Sequence, residues 1–246
     1  MNNDQISAFG LNFSTLGLGQ ISSQITEEFP SRGVAYHLVN AYTLVLANES
    51  PSLYRILETD FLICDGRPLA KILHRSNRDL KQIRGADFMR SCLSNTKGTG
   101  SHFFLGSTDA NLIRIIEIAK EVNENIKIAG YHSPEFTENF EKSLPMWVKM
   151  IRDSGASVVW VGLGTPKQDY VAHFLSEALP VHAVAIGAAF DFLSGNVSEA
   201  PWVFQKLGLE WFFRLVKEPK RLARRYLIGN FKFIKLMLCL RGRRLK

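Results

Sequence analysis

Between Val34 and Ile186 short runs of β-branched and aromatic residues alternate with longer amphipathic stretches, and no other feature constrains the fold as strongly. The runs Val34–Val39, Phe61–Cys64, His102–Leu105, Ile126–Ala129, Val158–Val161 and Val181–Ile186 are each bounded by turn residues and predict strands. Thr108–Val122 carries Leu112, Ile115, Ile116 and Ala119 on one face. Phe136–Ser154 does the same with Phe140, Leu144, Trp147, Val148 and Ile151, so both predict helices. Strands separated by helices pair in parallel, because each crossover returns the chain to the same end of the sheet. The expected architecture is therefore α/β and Rossmann-like, a largely parallel sheet with helices on both faces. In such sheets ligands bind outside the carboxyl ends of the strands, which makes the residues just after each strand the first candidates for a site.

After Gly195 the texture changes. Trp202–Leu207, Trp211–Val216 and Arg221–Leu240 read as helices dense in aromatic and aliphatic residues, with Pro219 marking a break. The chain thus divides into an α/β body, 1–195, and a C-terminal helical appendage, 196–246. Residues 201–246 carry a charge of +11 out of a total of +7, which leaves the body at −4. Cations interleaved with Trp202, Trp211, Phe212, Phe213, Phe231, Phe233 and Ile234 suit an interfacial helix on an anionic membrane. Single-stranded nucleic acid is the competing partner for such a surface. The first twenty residues lack the basic and apolar regions of a signal peptide, and no run of about 18 apolar residues occurs. The three cysteines form no C-x-x-C pair, so neither a disulfide framework nor a cysteine zinc site is supported, and a reducing cytosol fits.

Several strand ends carry candidate chemistry. Gly162-Leu163-Gly164-Thr165-Pro166-Lys167-Gln168-Asp169 follows one strand; Thr165 is placed to cap a helix that begins at Pro166, and the glycines admit an anion to that helix N-terminus. An ordinary strand-to-helix turn would look the same. Asp65, in Cys64-Asp65-Gly66, can project a carboxylate into a cleft as a general base, or form an Asx turn or helix cap. Asp87 in Arg84-Gly85-Ala86-Asp87 can bind hydroxyls or cap a helix, and Asp191 completes the strand-end carboxylates. The six histidines show no metal-ligand spacing, and neither a G-x-S-x-G elbow nor an Asp-x-Asp occurs. A diphosphate bound here would meet protein cations instead of a divalent metal; Arg214, Lys217, Lys220, Arg221, Arg224 and Arg225 recur at near-helical spacing and can supply them, or form a solvated basic face.

Taken in order, these motifs resemble the WecG/TagA/CpsF family of bacterial glycosyltransferases. The resemblance runs from Val39-Asn40-Ala41 through the segments above, Phe104-Leu105-Gly106 and Gly130-Tyr131, to Ala188-Ala189-Phe190-Asp191, Ala200-Pro201, Leu207-Gly208-Leu209-Glu210-Trp211, Arg214-Leu215 and Glu218-Pro219. It implies inverting transfer of a hexose or N-acetylhexosamine from a UDP-sugar to a polyprenyl-diphosphate-linked saccharide, at the cytosolic face of the membrane, without cofactor, metal or nucleic acid; homo-oligomers are compatible with it. Asp65 becomes the general base. Asn40, Gly66, Asp87, Tyr131, Gly162, Gly164, Gln168 and Asp191 become substrate-binding residues, together with Arg214, Arg221 and Arg224. This chain departs from the family pattern in having Leu38 where some members have Thr, Asp169 for the commoner Glu, and Glu199 where a basic residue is frequent. Its Asn-Ala-Tyr-Thr and Gly-Ala-Ala-Phe-Asp variants look like the exopolysaccharide branch. The alternative is a regulatory protein with a basic nucleic-acid-binding module; a nicotinamide enzyme would need a complete dinucleotide fingerprint that is lacking.

Overall fold

A computed structural model describes residues 4–27, 30–95, 100–135 and 139–243. One sheet contains β1 (Gln5–Ala8), β2 (Leu11–Ser14), β3 (Val34–Val39), β4 (Phe61–Cys64), β5 (Ser101–Gly106), β6 (Lys127–His132), β7 (Val158–Gly162) and β8 (His182–Ala185), in the order β1-β2-β4-β3-β8-β7-β5-β6. Every adjacent pair is parallel except β1 with β2. All six predicted strands are present, two with the predicted bounds. The β1–β2 hairpin was not foreseen. Its two-residue turn, Phe9-Gly10, has φ of 59° and 75°, and a Phe in the left-handed region carries none of the Asn-Gly signal that announces such turns.

Helices α1 (Leu18–Glu27), α2 (Ala41–Glu49), α3 (Pro51–Thr59), α4 (Arg67–Leu73), α5 (Gly85–Asn95), α6 (Asp109–Val122), α7 (Leu144–Ser154), α8 (Lys167–Ala178) and α9 (Ala189–Leu193) cover the sheet. Phe140–Ser143 is a 3-10 turn ahead of α7; residues 136–138 of that predicted helix lie outside the described residues. Alternation along the strands sorts the core. In β7, Val158 and Trp160 pack with α1, α5 and α6 residues such as Ile21, Phe88 and Leu112, whereas Val159 and Val161 face Trp147 and Ile151 of α7 and Val171 and Leu175 of α8. A third cluster joins Leu44, Leu53 and Leu69 of α2, α3 and α4. Two buried histidines are core residues of different kinds. His102 accepts from Trp160 Nε1 at 3.0 Å, and burial depresses its pKa to about 4, so it is neutral. His37 of β3 lies between Asp169 Oδ1 (2.9 Å) and Asp60 Oδ2 (3.0 Å), and Asp60 also meets His173 Nδ1 at 2.9 Å. Burial acts to lower the His37 pKa, but the hydrogen bonds and charges of Asp169 and Asp60 outweigh it and raise the value to about 9. The His37–Asp169 pair holds the first turn of α8, which also carries Gln168, against β3.

The C-terminal helices α10 (Trp202–Leu207), α11 (Glu210–Lys217) and α12 (Pro219–Arg243) return across the body. Phe233 enters the α2–α4 cluster, and Gly229 passes so close to α2 that an added Cβ would stand 2.9 Å from the Tyr42 ring. Lys232 Nζ pairs with Glu49 Oε1 at 2.6 Å, and Arg67 donates to the Lys206 carbonyl. Among the described residues no helix is long and apolar enough to cross a membrane.

Candidate active site

The loops after β3, β4, β5, β7 and β8 converge on a cavity of about 1080 Å³, roofed by α11 and α12. The Asp65 N–H donates to Val39 O at 2.8 Å, so the β3–β4 pairing continues one residue past the strand and sets Asp65 on the rim. Gly66, at φ 79°, then turns the chain into α4, and a side chain there would press on Asn40 as well as strain the backbone. Burial pushes the Asp65 carboxyl up to about 6; Glu210 adds to the rise, while the Gly66 N–H (2.7 Å), Arg84 and Arg214 oppose it. Asn40 caps α2, its Oδ1 accepting from Tyr42 N (3.0 Å) and Thr43 N (3.2 Å) in a capping box. Its side chain still borders the cavity, as does Leu38.

The β7 loop is held by packing instead of by the expected cap. Helix α8 begins at Lys167, one residue later than expected, so the cap position falls on Pro166, which has no side-chain acceptor, and Thr165 precedes it. Gln168, buried, takes over: its Oε1 accepts from Gly164 N at 3.1 Å. A Cβ on Gly162 would meet the Phe190 ring at 2.5 Å, and one on Gly106 would meet Gly162 O at 2.4 Å, so only glycines let these strand ends close together. Across the cavity Asp191 accepts from Asn111 Nδ2 at 3.5 Å, and Ser107, at φ 59°, leads into α6, which Thr108 caps. The strain at Ser107 falls in the cavity wall.

From the roof, Arg214 of α11 lays its guanidinium over the Phe192 ring (5.1 Å to the centroid) with Glu218 at 4.0 Å. Its buried Nε has no hydrogen-bond partner among the described residues, a donor disposed to meet an anion. Glu210, at the start of the same helix, pairs with Arg84 Nε at 3.1 Å. Asn40, Asp65, Gly66, Gly162, Gly164, Gln168, Asp191 and Arg214 therefore share one cavity. Asp87 and Tyr131 are not in its wall. Asp87 pairs with Arg84, itself a cavity residue, and with Arg90, and Tyr131, 42% exposed, sits on the edge strand β6. The side chains of Arg221 and Arg224 lie outside the described residues. Sequence reasoning passed over Asn111 and Ser107, and named Arg84 and Glu210 only within motifs; their place in one cavity wall with Asp65 and Asp191 depends on the tertiary fold. Glu199 finds its reason here too, pairing with Arg84 at 2.8 Å and with Arg90.

A doubly wound parallel sheet with a buried carboxylate and a stacked guanidinium over its strand ends defines the α/β class that binds ligands at the carboxyl edge. The chain belongs to the glycosyl transferase WecG/TagA/CpsF family, whose model matches residues 6–246. It is thus a glycosyltransferase of cell-surface polysaccharide synthesis, from a family that uses nucleotide-sugar donors and lipid-linked acceptors.

Proposed function

We propose that the chain moves a hexose or N-acetylhexosamine from a UDP-sugar to a polyprenyl-diphosphate-linked saccharide, with inversion, in exopolysaccharide synthesis at the inner face of the bacterial membrane. The observation that carries the reading is the sharing of one cavity by Asp65, a carboxylate of raised basicity, and Arg214, whose Nε lacks a partner among the described residues. With its pKa raised to about 6, Asp65 still ionises at neutral pH and is a stronger base than an exposed carboxylate. It takes the proton of an acceptor hydroxyl as that oxygen attacks the anomeric carbon. The bond from that carbon to the UDP oxygen breaks on the opposite face, and the electron pair leaves with UDP.

Arg214 meets the charge that develops on the diphosphate, a task assigned to protein cations and not to Mg²⁺ or Mn²⁺. Arg221 and Arg224 join it on the strength of the family resemblance, and so do Asp87 and Tyr131 as substrate contacts. Gly162, Gly164, Gln168 and Asp191 hold the nucleotide, while Asn40 and Gly66 shape the acceptor side. Residues 1–195 serve as the catalytic body, and 196–246 as the appendage that meets the membrane and completes the cavity. The test is Asp65→Asn, an isosteric change that removes the base. Turnover is expected to fall about 10²–10⁴-fold with UDP binding by calorimetry nearly unchanged. Turnover within threefold of the parent removes Asp65 from the mechanism.

A further inference from the structure

Gln168 lies in the cavity wall yet is only 3% exposed, and its amide is held in one orientation. Its backbone N–H donates to Gly164 O at 3.0 Å, while its Oε1 accepts from Gly164 N at 3.1 Å, so residues 164–168 close into a ring through two reciprocal hydrogen bonds. A backbone N–H has to be met by the amide oxygen, which leaves Nε2 as the end of the group that a ligand can use. Nε2 is also the amide atom nearer Gly187, where an added Cβ would stand 3.4 Å from it. Gly187 has φ 63°, a conformation that favours glycine and so keeps a side chain out of that space. The next residue, Asp169, ties the same helical turn to β3 through His37 at 2.9 Å. The Gln168 amide is thus positioned before any ligand arrives, and the end it offers can only donate.

We propose that Gln168 Nε2 is a donor-only contact for the diphosphate of the nucleotide sugar, which sits over the segment from Gly187 to Phe192. This rests on the sugar donor being a UDP-sugar. Two contacts locate the diphosphate: Gln168 borders that segment at Gly187, and Arg214 covers it at Phe192, with 5.1 Å from guanidinium to ring centroid. Both groups donate and neither accepts, and the buried Arg214 Nε has no partner among the described residues. The carboxylate of the segment, Asp191, turns to Asn111 Nδ2 at 3.5 Å. A buried ribose or sugar hydroxyl needs an acceptor for its own proton, whereas phosphate oxygens only accept. Two donors on one short segment therefore match the diphosphate better than the sugar or the nucleoside, and hydrogen bonds to an ionised oxygen are the stronger kind.

The experiment is calorimetric binding of UDP to the full chain and to Gln168→Glu at pH 8, with farnesyl diphosphate as the probe for the diphosphate of a lipid-linked acceptor. The new carboxylate keeps the hydrogen bond from Gly164 N and replaces the donor by a negative charge, so the thermal unfolding midpoint is expected to stay within a few degrees of the parent. UDP should bind about 10²–10³-fold more weakly, the effect of like charges brought together, and farnesyl diphosphate should be held as well as by the parent. A loss of UDP affinity under tenfold, or an equal loss for farnesyl diphosphate, overturns the proposal. If neither protein binds farnesyl diphosphate, the UDP result decides. Should Gln168→Glu not fold, the side-chain amide protons of Gln168 in the ¹⁵N-labelled parent carry the test: a downfield shift on saturation with UDP supports the contact, and unmoved signals refute it. Failure of the UDP-sugar reading would appear separately, as a parent that binds no UDP, and would take this contact with it.

Discussion

Raising the pH should loosen this protein through one buried imidazole. His37 has no exposed side-chain surface and is held between Asp169 and Asp60. Its pKa is raised from 6.5 to about 9 in the folded chain. A folded value above the unfolded one means that the protonated ring stabilises the fold. The contribution is complete below pH 6.5 and lost as the pH climbs through 9. At about 1.4 kcal/mol per pH unit, the interval corresponds to about 3 kcal/mol, a large share of the 5–15 kcal/mol typical of domains. Urea unfolding at pH 6, 7.5 and 9.5 should show the parent losing about that much more stability than His37→Gln, which cannot titrate. The variant itself is expected to start roughly 3–5 kcal/mol lower, because it strands buried carboxylates. Should it not fold, the imidazole titration of the parent by NMR reads the same quantity. Equal pH dependence in parent and variant, or a midpoint near 6.5, would refute the reasoning.

Arg214→Gln keeps a polar side chain but removes the charge over Phe192, and turnover is expected to fall about 10²–10³-fold by steady-state kinetics, as for other donors to a developing anion; a loss under threefold would take Arg214 out of the leaving-group site. Activity should survive EDTA, and complete loss restored by added Mg²⁺ or Mn²⁺ would assign the leaving-group charge to a metal. The full chain is expected to sediment with anionic vesicles through its exposed Trp202 and Phe231 and its basic helices. Replacing the exposed Lys217, Lys220 and Lys235 by Gln should weaken that on the order of a hundredfold, at about 1 kcal/mol per basic residue near such a surface. Indifference to vesicles together with tight binding of single-stranded RNA or DNA would favour the nucleic-acid alternative.

Local pattern by itself determined the alternation of β3 to β8 with helices, the change of texture after Gly195 and the strand-end positions of Asp65, Gly162 and Asp191. Periods of two and 3.6 residues are written in neighbouring side chains and require no knowledge of distant ones. The same locality explains the misses. The β1–β2 hairpin turns on a left-handed Phe9 that no turn preference anticipates, and Thr165 does not cap α8 because the helix starts at Lys167 and the cap position falls on Pro166. Asp87 and Tyr131 stand in motifs beside cavity residues but outside the cavity wall, since motif spacing does not say which way a side chain points; their substrate contacts belong to the proposed function. Asp87 turns to Arg84 and Arg90, and Tyr131 stays on the sheet edge. Only the tertiary structure decided the strand order, the burial of His37 between two aspartates, and the sharing of one cavity wall by Asp65, Glu210, Arg84 and Arg214. Those relations join residues far apart in the chain, and the electrostatics of Asp65 come from which charges packing brings to it and how much water packing excludes.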